Sequence, residues 1–187
     1  MLELFFCDTE TLSLARNAPP WEVAWVTATV EDSGLMLDEP RVELLCVSES
    51  ELVSADPNSL RVNAMYERWL PYRHELSDDL NRQVAEEIAV ASAGRVWVGA
   101  VPEFDERVLH WFCLRYGFVL CPHYHLVDVE ALAAAKLGLL PPFTLRKVME
   151  AAGVERSAHG AHTALGDMMD VVGLFAWVYG LEVGGFG

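Results

Sequence analysis

Apolar positions fall first into strand-like runs and then into alternating strand and helix periods. Residues 2–7 (LELFFC) are an apolar run closed by Asp8, which predicts a strand. Residues 21–30 intersperse apolar and polar side chains after Pro19-Pro20 and predict a second strand. Asp32-Ser33-Gly34 predicts a turn, and residues 41–47 (RVELLCV) a third strand, so the three form an antiparallel meander. Residues 48–59 read as a loop, with helical character over 60–69. Over 76–93, Leu80, Val84, Ile88 and Ala91 recur at helical spacing, with Ser77 as N-cap and Asp78 and Asp79 in the first turn. Gly94 closes that helix. Residues 95–100 (RVWVGA) are too apolar for a half-exposed strand and predict a central one. Pro102 opens a helix to about residue 116, and residues 125–127 form a short strand. Helices follow over 129–137, capped by Asp128, and over 145–152, capped by Thr144 after the Pro141-Pro142 break. A last helix runs from about His162 to residue 179, and the tail 181–187 (LEVGGFG) reads as loose.

Strands first, then strands alternating with helices, predict an α/β protein: a mixed sheet flanked by helices, in a single domain over residues 1–180. No internal repeat, low-complexity tract or interdomain linker interrupts it. The 187 residues suffice for a sizeable core, and a hydrophobic fraction of 52% excludes disorder. No apolar run reaches the length of a membrane span, and the N-terminus meets an acid before any base, unlike a signal peptide. Cys7, Cys46, Cys113 and Cys121 show no paired spacing, so they are expected to be reduced and mostly buried, which suits the cytoplasm. With 13 basic and 28 acidic residues, the chain carries −15, which argues against a long basic groove tracking phosphates. That charge fits short substrates, frayed 3′ ends, or a partner that does the gripping.

The candidate chemistry sits where strands end and helices begin. Asp8-Thr9-Glu10 closes the first strand, where alternate side chains point the same way and both carboxylates can face one site. Asp105 opens the helix after the predicted central strand. An isolated acid there is commonly a helix-dipole partner, but this strand is expected beside the first. His162 and Asp167 (HTALGD) bring an imidazole able to take a proton near neutral pH and a fourth carboxylate. His159 and Asp170 are the nearby decoys. Carboxylates gathered from distant segments repel one another and cost desolvation, which a chain tolerates mainly when divalent cations lie between them. Oxygen-only ligands suit Mg²⁺ or Mn²⁺. Weaker signals are Trp25 and Trp69 as base-stacking surfaces, Arg146 and Lys147 as phosphate contacts, and His123-Tyr124-His125, which lacks the spacing of a zinc site.

Together the three motifs, Asp8-Thr9-Glu10-Thr11, Phe104-Asp105 and His162 to Asp167, resemble the DEDDh branch of the DEDD 3′-to-5′ exonucleases. That family includes the proofreading epsilon subunit of bacterial DNA polymerase III, RNase T and oligoribonuclease. The resemblance spans about residues 2–179 in motif order and spacing. It implies an RNase H-like exonuclease fold with a mixed five-stranded sheet flanked by helices. It also implies two divalent cations, Mg²⁺ or Mn²⁺, held by Asp8, Glu10, Asp105 and Asp167, with His162 as general base. Hydrolysis from single-stranded or frayed 3′ ends of DNA or RNA would then release nucleoside 5′-monophosphates. Thr11, Leu12 and Phe104 would pack on the terminal nucleotide. The chain departs from the family at Leu12-Ser13, where Gly usually follows Thr, and at Val101, where the family has Asn. Some relatives are dimers and others work within larger assemblies, so a homodimer and a polymerase partner are both open. The alternatives are a non-catalytic accessory subunit of a replication or repair complex, and a phosphodiesterase acting on short oligonucleotides or nucleotides.

Overall fold

The chain runs β1 (Leu2–Thr11), β2 (Pro20–Glu31), β3 (Gly34–Leu37), β4 (Arg41–Leu44), α1 (Glu49–Val53), α2 (Pro57–Val62), α3 (Met65–Arg68), α4 (Asp78–Ser92), β5 (Val96–Gly99), α5 (Pro102–Arg115), β6 (Leu126–Asp128), α6 (Val129–Leu137), α7 (Leu145–Ala152), α8 (Ala164–Tyr179) and β7 (Val183–Gly184). This is a computed structural model, which describes residues 1–184. The strands form one mixed sheet in the order β6-β5-β1-β2-β3-β7, with β4 pairing β2 off that path. β1 and β2 pair antiparallel from Leu2 opposite Val30 to Thr11 opposite Pro20. β5 runs parallel to β1, and β6 parallel to β5, so the carboxyl ends of β1, β5 and β6 share one edge.

Strand alternation divides the core between two faces. Leu4 and Phe6 of β1 pack with Val129, Ala133, Val148, Met168, Val171 and Phe175, from α6, α7 and α8. Phe5 and Cys7 point the other way, against Val84, Ile88, Leu109 and Phe112, from α4 and α5. Phe5 meets Trp97 edge-on at 4.8 Å and Phe6 meets Phe175 at 5.4 Å, one aromatic pair on each face. A third cluster, including Leu12, Trp21, Leu60, Met65 and Trp69, lies under α1 to α3. Among the described residues, no helix is long and apolar enough to cross a membrane. All four cysteines are free; Cys7 and Cys113 are buried, Cys46 is half-buried and Cys121 is exposed.

The mixed sheet flanked by helices is as expected, but among the described residues it has seven strands rather than five. β3 and β4 occupy one edge of β2 in succession: Leu37 lies opposite Ala28 and Arg41 opposite Trp25, a slip of one residue across the Asp38–Pro40 segment. They are one strand broken by a bulge, where Pro40 has no N–H to give to a ladder. β7 corrects the expectation of a loose tail, since Val183 and Gly184 pair with Leu35 and Met36; residues 185–187 of that tail lie outside the described residues. The segment expected as a loop over 48–59 contains α1, closed by a Ser48–Glu51 capping box, and the start of α2, where Asp56 caps and Pro57 leads. The helix expected over 60–69 breaks at Asn63-Ala64, with Ala64 left-handed at φ 50°. α8 begins at Ala164 rather than His162, because the Thr163 side chain accepts from the Gly166 amide and caps it.

Candidate functional site

Asp8 and Glu10 are two residues apart on β1 and therefore share a face, the one that carries Leu4 and Phe6 and faces α8. Asp167 lies in the first turn of α8. One carboxylate oxygen from each of Asp8, Glu10 and Asp167 lies within 4.8 Å of the other two. Asp105 stands outside this group of three. It is buried at the start of α5, and its Oδ1 accepts from both the Thr9 amide (3.0 Å) and the Thr9 hydroxyl (2.7 Å). Thr9 alternates with Asp8 and Glu10, so it reaches toward the α5 face while they reach toward α8. Asp105 is nonetheless near enough to Asp8 to disturb its ionisation.

The acids perturb one another strongly. Burial pushes the Asp8 carboxyl well above the usual carboxylate range, and the charges of Asp105, Glu10 and Asp167 push it further. Burial lifts Glu10 to about 8; the neighbouring Asn63 carboxamide lowers it, Glu22 and Asp167 add to the rise, and Arg68 opposes it. Asp105 rises to about 7 through burial, offset by the Thr9 hydrogen bonds. Asp167 is raised by burial and held back by Arg156 and His162. Four carboxyls raised above their ordinary range chiefly by burial, with hard oxygen donors on three of them converging, fit a divalent cation.

His162 precedes the α8 cap, is exposed, and takes a left-handed φ of 58°. It lines a cleft of about 260 Å³ with Glu10, Thr11, Leu14, Asn63 and Phe104. Two of the three residues expected to pack on a terminal nucleotide, Thr11 and Phe104, are therefore in the cleft. The third, Leu12, is buried in the cluster under α1 to α3, and Leu14 stands in the cleft instead. His159 is exposed outside the helix; its carbonyl accepts from the Thr163 hydroxyl. Asp170 is buried and bound by the Arg156 guanidinium at 2.6 Å and by the Ser157 amide at 2.6 Å. Arg156 also donates to Asp167 Oδ1 at 2.7 Å, so one cation bridges the site acid and its decoy.

Four residues here were not singled out from the sequence: Glu22, Arg68, Asn63 and Arg156. Glu22 is buried and pairs in register with Glu10, and an acid inside the apolar run WEVAWV was the available signal. Asn63 is buried with its carboxamide nitrogen on the Thr11 carbonyl and its oxygen unpartnered. Nothing in the local sequence marks Asn63, Arg68 or Arg156. Trp25 and Trp69 are buried, and the Trp69 indole donates to the Leu45 carbonyl at 2.7 Å, so neither presents a stacking face. Arg146 lies on the exposed side of α7, paired with Glu150. No family model matches the chain, and no curated protein matches it.

Proposed function

We propose that this chain is a divalent-cation-dependent 3′-to-5′ exonuclease of the DEDDh kind, built on an RNase H-like sheet. The observation that carries this reading is the meeting of Asp8, Glu10 and Asp167 within 4.8 Å, at a cleft that also holds His162. Asp8, Glu10 and Asp167 would hold Mg²⁺ or Mn²⁺. Asp105 would share the load through the oxygen that Thr9 leaves free. Bound cations would supply charge stabilisation for a phosphodiester under in-line attack. The chain's own groups do the rest. The His162 imidazole takes a proton from the attacking water. Phe104 and Leu14 wall the cleft for a terminal base or sugar. Arg156 balances the charge of Asp167, which would also serve a cation.

The small cleft and the −15 charge favour a second reading within the same chemistry, a phosphodiesterase for short oligonucleotides or nucleotides. One experiment addresses both. End-labelled single-stranded DNA, single-stranded RNA and two- to five-nucleotide oligomers are digested side by side with Mg²⁺, Mn²⁺ or EDTA, with Asp8→Asn as control. The exonuclease reading expects 5′-mononucleotides from the 3′ end, in either metal and not in EDTA. Turnover confined to the shortest oligomers selects the second reading. No cleavage of any substrate in either metal overturns both.

A further inference from the structure

The residue proposed as general base is poorly secured by its own element. His162 lies outside α8, is exposed, and holds a left-handed backbone that β-carbon-bearing residues seldom adopt. Proton transfer nevertheless needs the imidazole at hydrogen-bonding distance from its target. What secures the turn comes from elsewhere. The Arg68 guanidinium donates to the His162 carbonyl at 3.0 Å. Glu22 Oε2 accepts from the Ala164 amide at 2.9 Å. Arg68 and Glu22 are themselves an ion pair, through Glu22 Oε1. One ion pair thus grips the chain on both sides of Thr163.

Both partners are anchored in turn. Glu22 is buried on β2, directly across from Glu10 on β1, so its place is fixed relative to a site carboxylate. Arg68 lies over the Trp21 ring at 4.9 Å and donates to the Asn63 carbonyl at 3.1 Å, at the break between α2 and α3 that lines the cleft. Strand, helical corner and histidine turn therefore meet at one pair of side chains. Neither side chain belongs to the three-carboxylate group.

We infer that the Glu22–Arg68 ion pair is the positioning element of this site, setting the His162 imidazole against the carboxylates of β1. Its kinetic consequence rests on the exonuclease reading; its structural consequence does not. The test compares wild type with Arg68→Gln, Arg68→Lys and Glu22→Gln. Arg68→Gln should lower kcat by on the order of 10²-fold, the scale of a misplaced catalytic group. KM should stay within about twofold, and Mn²⁺ affinity by calorimetry should shift only modestly, since Arg68 offsets the rise of Glu10 but offers a cation no ligand atom. Arg68→Lys should recover part of kcat. Glu22→Gln keeps an acceptor for the Ala164 amide and should fall between Arg68→Gln and wild type.

The second readout is the His162 ring resonance, assigned by its absence in His162→Ala and recorded without metal. It should be sharp in wild type and shifted or broadened in Arg68→Gln. Kinetics and resonance both unchanged in Arg68→Gln would overturn the inference. Equal losses of Mn²⁺ affinity, melting temperature and kcat, without recovery in Arg68→Lys, would reduce the pair to a fold contact and overturn it too. If wild type cleaves nothing, the exonuclease reading fails alone, and the resonance decides whether the pair holds His162.

Discussion

At the scale of single residues, the site is defined by which groups are compensated and which are not. Asp170 has Arg156 and the Ser157 amide, whereas Asp8 and Glu10 face other acids. This separates the two histidines as well. His162 shares the cleft with Glu10, and His159 is not among its lining residues. His162→Ala should therefore lower turnover by about 10²–10⁴-fold, the range for a lost general base, while His159→Ala changes it little. Steady-state kinetics of both variants checks this; a dead His159→Ala beside a normal His162→Ala would reassign the base. The raised carboxyls also set a pH dependence. In the unfolded chain Glu10 ionises near 4.5, and in the folded metal-free chain it keeps its proton to about 8. Between those values the folded state binds more protons, so this contribution is complete below 4.5 and is lost as pH rises through 8. Asp8, shifted the same way, adds to it. In EDTA the melting temperature should fall from pH 5 to pH 8, and saturating Mn²⁺ should flatten or reverse the trend by binding the ionised form. A melting temperature in EDTA that climbs over this interval would contradict the assignment.

At the scale of elements, the approach to α8 is held at close quarters. A β-carbon on Gly166 would lie 1.9 Å from the Gly160 carbonyl oxygen and 2.7 Å from the Thr163 hydroxyl that caps the helix. Gly166→Ala must displace backbone in the turn that carries His162. It should cost roughly 1–3 kcal/mol, as overpacking does, and lower turnover beyond what stability explains. Thermal melts with kinetics well below the melting temperature check it. The N-terminus of α5 shows the opposite situation. Val101 caps that helix with a left-handed φ of 58° and no side-chain hydrogen bond. A β-branched residue is strained there, and asparagine tolerates the conformation. Val101→Asn should stabilise the chain by about 1 kcal/mol, readable as a shift in denaturant midpoint at constant slope.

At the scale of the whole molecule, what could be read from sequence depended on the range of the forces involved. β1, β2, β5, α4 and α5 follow from runs, periods and caps within a few residues, and they place Asp8, Glu10 and Asp105 at one sheet edge. β3 and β7 were missed because each is short and exists through its partner: the Leu35 amide donates to the Glu182 carbonyl, and Met36 pairs with Gly184. The break at Asn63-Ala64 was hidden because its helical pattern runs straight through. Leu12, expected to pack on a terminal nucleotide, is buried under α1 to α3, and a strand-end leucine has no local mark of which side it faces. Arg68 and Arg156 were invisible because their partners come from other elements, whereas Glu22 was marked only by being an acid inside an apolar run.

Asp167 comes from α8, the last helix of the described chain, which packs against β1, the first strand. That arrangement has a meaning in time. Contacts between distant segments carry the loop-closure cost of everything between them and tend to form late. Until α8 docks, Asp8 and Glu10 lack their third carboxylate, and Glu22 has no helix amide to receive. The strand pair β1–β2 can assemble while the centre is still incomplete. In stopped-flow refolding of a Trp177→Phe variant, which removes the tryptophan of α8, the Mn²⁺-sensitive signal should therefore lag the tryptophan fluorescence change. A single shared phase would show that sheet and centre form together. A growing or partly unfolded chain thus holds its acids apart, and the three-carboxylate centre is complete only as folding ends.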